Sequence, residues 1–130
     1  MSESDLPLEV RRFLKEQIRS IEQLEILLLL RDGADRRWNP AEVYQHVRSS
    51  ESSVAWTLEN LTRHGLLAKS DGAELLYQFS PKNEQLRRTT ETLAHLYAEK
   101  RVRIVEAIYS EYSEVDEFAK AFRLRKDSNG

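Results

Sequence analysis

The sequence predicts a mainly helical domain with one small β-hairpin. Three observations predict it: apolar residues at helical spacing along most of the chain, a series of helix-start and helix-stop signals, and two short apolar runs on either side of "DGAE". At 130 residues, 40% of them hydrophobic and 32% charged, the whole span 1–130 reads as one domain with enough apolar mass for its own core.

A first helix is expected over 7–19, with Pro7 early in it and Val10, Phe13, Leu14 and Ile18 as its apolar side. Ser20-x-x-Gln23 has capping-box spacing and opens a second helix that runs to about Arg31, where "DGADRR" interrupts it. Within it, "ILLLL" at Ile26–Leu30 is too short to cross a bilayer and reads as a helix buried on most faces. Asn39-Pro40-x-Glu42 starts a short helix over 40–48, with Val43 and Val47 on one face. There Asn39 can accept from a free N–H, Pro40 has no N–H to leave unbonded, and Glu42 faces the positive end of the dipole.

Ser49 and Ser50 mark a turn before a helix over 50–64, which Gly65 can close in a left-handed conformation. "LLAKS" and "LLYQFS" then form a hairpin over 66–79. Ser80-Pro81 is expected to cap a long helix over 82–110. A last helix over 114–123 opens at Ser113-x-x-Asp116 and pairs Phe118 with Phe122, and the basic tail 124–130 is expected to fray.

Helix, helix, turn, helix and hairpin in that order make a winged helix-turn-helix. The core spans 20–80, with an additional N-terminal helix before it and C-terminal helices over 82–123 after it. The sequence resembles the MarR-like winged-helix transcriptional regulators over about residues 20–80. "IEQLEILLLL", "WNPAEVYQHV", "SSVAWTLENLTRHGLL" and "YQF" carry the resemblance, most specifically Val54, Leu58 and Leu61 followed by Gly65-Leu66-Leu67. It implies a regulator that binds operator DNA as a homodimer.

At about 100° per residue, Val54, Leu58, Leu61 and Thr57 fall on one side of helix 50–64, and Trp56 lies near the centre of the other. That outward face is where such a helix meets the major groove. The resemblance places Ser52 and Ser53 against phosphates or bases at the helix N-terminus, where dipole and N–H groups also favour phosphate. It gives Ala55 to a thymine methyl, Asn60 to adenine, and Arg63 to a phosphate or guanine, with Lys69 on the hairpin. Trp56 and Glu59 depart from the basic or polar residues usual in the family at these places.

The charges are unusual for a DNA reader. From Asn39 to Lys69, Arg48, Arg63 and Lys69 face an equal number of acids, Glu42, Glu51 and Glu59, and Asp71 and Glu74 make the wing tip acidic. Phosphate neutralisation supplies much of the affinity for DNA, so a neutral motif implies weak binding unless other cations help. Candidates are Arg11, Arg12, Lys15 and Arg19 on the first helix, Arg36 and Arg37 before the motif, and Arg123, Arg125 and Lys126 in the tail, unless each cluster is plain solvated surface. Trp56 has three readings: covered by the N-terminal helix or a second subunit, an anchor for a protein partner, or a group inserted in the groove. The alternative to the regulator is therefore a winged-helix protein-interaction module without DNA binding of its own.

Leu86, Leu93, Tyr97, Ile104 and Ile108 form a stripe close to a coiled-coil seam, expected to serve a homodimer, with burial against the N-terminal helix as the alternative. Trp38, Tyr97 and Tyr109 are candidates for an effector cleft of the kind the resemblance implies for aromatic or phenolic ligands.

No chemistry is expected. Glu42/His46 and Glu91/His95 are isolated pairs without a third metal ligand, and neither a phosphate loop nor a nucleophile elbow appears, so no enzyme, metal or cofactor is expected. The absence of cysteine excludes thiolate chemistry and suits a reducing cytoplasm. "MSESDLPLEV" has neither the basic start nor the apolar stretch of a signal peptide, no membrane span is expected, and a net charge of −2 draws the chain to no anionic surface.

Overall fold

The computed structural model describes residues 6–70 and 72–109. In chain order these form α1 (Leu8–Gln17), α2 (Ile21–Asp32), α3 (Pro40–His46), α4 (Glu51–Arg63), β1 (Leu67–Ser70), β2 (Leu76–Phe79) and α5 (Glu84–Glu99), followed by a helical stretch over 101–109, here α6.

Helix α2 lies at the centre because its sequence is apolar nearly all round. Leu24, Ile26, Leu27, Leu28 and Leu30 are all buried, and a helix without a polar face has to be surrounded. Its start is fixed by Ser20, whose hydroxyl accepts from the Gln23 N–H at 3.2 Å. Around it, α1 contributes Val10, Phe13 and Leu14, and α4 contributes Val54, Leu58 and Leu61. α1 lies against α5, while α4 touches α2, α3 and β1.

The strands pair antiparallel, with Leu67 opposite Phe79, Ala68 opposite Gln78, Lys69 opposite Tyr77 and Ser70 opposite Leu76. Trp38 adds a third edge that the sequence reading missed. Its N–H donates to the Tyr77 carbonyl and its carbonyl accepts from the Tyr77 N–H, both at 2.8 Å, so the hairpin is stitched to the start of α3.

The expected long helix over 82–110 is corrected at both its start and its middle. Ser80 and Lys82 donate their N–H groups to the carbonyls of Leu66 and Gly65, at 2.9 and 2.8 Å, so the chain is still following the hairpin there. Asn83 is the cap instead, accepting from the Leu86 N–H at 2.8 Å. The helix then breaks at Lys100 (φ −131°, ψ 52°), and the Lys100 carbonyl accepts from Ile104 to start α6. Neither glycine nor proline marks this break in the sequence.

The stripe along these helices is taken up by the chain itself. Leu93, Ile104 and Ile108 are 0–2% exposed in its own core, with Leu86 and Tyr97 half-buried against it. Three of the five residues of the stripe are thus enclosed by the chain itself, and Leu86 and Tyr97 keep part of their surface. The expected helix over 114–123 and the tail 124–130 lie outside the described residues, as do Arg123, Arg125, Lys126 and Asp71.

Candidate nucleic-acid interface

Helix α4 begins where Ser50 accepts from the Ser53 N–H at 3.1 Å. It ends in a Schellman turn. Gly65 has φ +84°, its N–H donates to the Thr62 carbonyl, and the Leu66 N–H donates to the Leu61 carbonyl, both at 3.0 Å. The buried pair Leu61 and Leu66 closes the turn and sends the chain directly into β1.

Between these ends the helix shows two faces. Val54, Thr57, Leu58 and Leu61 are buried, while Ser52, Ala55, Trp56 and Arg63 are exposed and Asn60 is half-buried. Trp56 is 51% exposed, so α1 does not cover it. The face deduced from periodicity is thus the face that points outward. Ser53 belongs to a different role: its hydroxyl donates to Glu22 Oε1 at 2.9 Å and ties α4 to the first turn of α2.

Glu59 is the residue whose setting sequence reasoning missed. Lys69 and Tyr77 are directly opposite in the hairpin, so both side chains leave the same side of it, toward α4. The Tyr77 hydroxyl donates to Glu59 Oε2, and Lys69 Nζ lies 2.7 Å from the same oxygen. The hydrogen bond from Lys69, and then that from Tyr77, holds the Glu59 carboxyl below the ordinary glutamate range. Burial, and next the donation to Glu59, pushes the Tyr77 phenol above its ordinary value. The signal lay in the strand register, which "DGAE" alone does not specify.

Other acids of this region also have local partners. Asn39 and Glu42 form a full capping box, with the Glu42 N–H on Asn39 Oδ1 at 2.8 Å and the Asn39 N–H on Glu42 Oε1 at 2.9 Å. Asn39 Nδ2 also donates to Glu74 Oε2 at 2.9 Å and so fixes the wing tip to the start of α3. Glu42 pairs with Arg36 at 3.2 Å, and the Arg36 guanidinium lies 3.7 Å above the Trp38 ring. Arg48 and Arg63 are exposed and make no ion pair among the described residues.

The aromatic residues proposed for an effector cleft are not brought together. Trp38 is buried, edge-on to His46 at 5.5 Å, whereas Tyr109 is exposed. Tyr97 alone lines an open groove of about 480 Å³ with Leu28, Arg31, His46 and Ala94, and its hydroxyl is 3.4 Å from Glu25. In the two Glu/His pairs, His95 meets Glu99 at 3.2 Å, Glu91 pairs with Arg31, and Glu42 pairs with Arg36. Among the described residues no three His, Asp or Glu side chains group to hold a metal ion, and no described helix is long and apolar enough to cross a membrane.

No family model and no curated protein matches the chain. Solved structures do. The chain is similar to the adhesin competence repressor AdcR of Streptococcus pyogenes at 17% identity and a TM-score of 0.50, covering 85% of this chain and 84% of that one. It is similar to a double variant of ZitR from Lactococcus lactis at 16% identity and a TM-score of 0.51, covering 89% of this chain and 79% of that one. Both are MarR-family winged-helix regulators. Together with the helix–turn–helix and hairpin described above, the likeness shows that this chain has a winged-helix fold, as those two proteins do.

Proposed function

We propose that the protein is a transcriptional regulator that binds duplex DNA as a homodimer, with α4 in the major groove and the hairpin against the backbone. The observation that carries this reading is the unobstructed outer face of α4, where Ser52, Ala55, Trp56 and Arg63 are exposed together beside the wing. Asn60 and Arg63 supply the hydrogen-bonding types that read bases and phosphates. AdcR, which shares the fold, is by its name a repressor.

Binding to random-sequence duplex, followed by fluorescence anisotropy from low to physiological salt, tests the reading. A steep fall in affinity with salt is expected. Arg63→Ala is expected to weaken binding and to flatten the dependence by about 1.8 in log–log slope, one phosphate contact from each protomer. Absence of binding at the lowest salt would overturn the reading.

The second reading, a protein-interaction module, is favoured by one specific observation: Trp56 is a large apolar side chain left 51% exposed at the centre of the same face. Under that reading Trp56→Ala abolishes capture of the protein partner and no variant binds duplex.

A further inference from the structure

Resting on the DNA reading above, we propose that Glu59 limits the affinity of this face, because it holds Lys69 in an ion pair that a duplex phosphate has to displace. Lys69 is the single Lys or Arg in the hairpin 66–79, so the wing's whole capacity to neutralise phosphate passes through this side chain. Its Nζ lies 2.7 Å from Glu59 Oε2, and the two side chains are 35% and 43% exposed. The pair is therefore at the surface, within reach of a phosphate. Tyr77 makes it persistent: the phenol is anchored by the backbone bridge to Trp38 and donates to the same carboxylate oxygen, which keeps Glu59 aimed at the wing.

The consequence for binding is specific. Counterion release rewards a cation that is free in the unbound protein and meets phosphate in the complex. A lysine already neutralised by a carboxylate exchanges one anion for another and adds little to the salt dependence. Glu59 thus acts on the wing as a built-in competitor of phosphate, occupying the place on Lys69 that a backbone oxygen of the duplex takes in the complex.

The test uses the full chain and a random-sequence duplex, with Glu59→Gln, Lys69→Gln and the double variant compared with the parent across a fourfold salt range. Glu59→Gln keeps an acceptor for the Tyr77 hydroxyl while removing the charge. It is expected to bind more tightly at low salt and to steepen the log–log slope by about 1.8, one contact from each protomer, equivalent to roughly a twelvefold greater loss across that range. In the Lys69→Gln background the same change is expected to leave the slope unaltered and to lose most of the gain. An equal gain from Glu59→Gln with and without Lys69 would overturn the proposal, since it would reduce Glu59 to simple repulsion of the duplex. So would an unchanged slope in Glu59→Gln while the parent still binds, and in both cases the DNA reading stands. If no variant binds at any salt, the DNA reading fails and takes the proposal with it.

Discussion

Gly65 shows how one residue fixes the geometry of the candidate interface. Its φ of +84° is a left-handed conformation, and a Cβ placed there would stand 2.3 Å from Lys82 Cδ. Gly65→Ala is therefore expected to lower stability by about 1–2 kcal/mol, most of it backbone strain. Urea unfolding measures the loss, and adding Lys82→Ala separates the two causes, because it relieves the steric part and leaves the strain. Glu59 gives a second prediction at this scale. Its carboxyl is held below the ordinary value near 4.5, so its contribution is present above about that pH and disappears as pH falls through the lower folded-state value. Glu59→Gln is expected to flatten the acid limb of stability against pH. Tyr77 works in the opposite sense: its raised phenol favours the neutral form, a contribution present below its ordinary value near 10 and lost as pH rises beyond it. Tyr77→Phe is expected to weaken that alkaline loss, read by urea midpoints between neutral and high pH.

Among the elements, α3 depends most on a single cap. Asn39 satisfies the Glu42 N–H, receives the Glu42 carboxylate on its own N–H and holds Glu74 at the wing tip. Asn39→Ala is expected to cost about 1–2 kcal/mol, the upper part of the usual range for an N-cap. Thermal unfolding beside Ser50→Ala, which removes a simple cap from α4, measures the difference between the two. Elements of this kind were legible in the sequence because their causes are local. Ser20, Asn39, Ser50 and Gly65 act within a few residues, and the starts and stops they imply are those observed. The start of α5 was misplaced because Ser80 and Lys82 bond to Leu66 and Gly65, a tertiary pairing that overrides the local Ser-Pro signal. The break at Lys100 was invisible for a similar reason. Arg101 lies 3.6 Å from Glu25 and 5.1 Å from the centre of the Tyr97 ring, contacts made with α2 and across the break itself.

At the scale of the whole molecule, α2 acts as a spine gripped at both ends. Arg31 near its C-terminus binds Glu91 and Asp32, while Glu25 nearer its start meets Tyr97 and Arg101. The outward face of α4 was legible from periodicity, because burial follows the helical repeat wherever one side packs on a core. The electrostatics of that face were not. Counting charges sets Lys69 against Glu59, but only the strand register brings the two into contact. The proposed dimer also changes its footing. With Leu93, Ile104 and Ile108 enclosed, the large apolar side chains that α1 and α6 leave exposed for a second copy, among the described residues, are Leu8, Val102 and Tyr109, at 60%, 69% and 48% exposure. Sedimentation velocity is expected to show a dimer that Val102→Asp shifts toward monomer while the fold, read by circular dichroism, is unchanged. An equal monomer–dimer balance in parent and variant would remove α6 from the interface.

The two tryptophans of the chain stand in opposite surroundings, Trp38 at 4% exposure beneath Arg36 and Trp56 at 51% on the face of α4. The molecule therefore carries its own optical gauge. Acrylamide is expected to quench one emitting population and spare the other, and Trp56→Phe to leave only the shielded one. Whatever seats itself on that face, duplex or protein, then announces its arrival as a loss of quenching, with no dye attached.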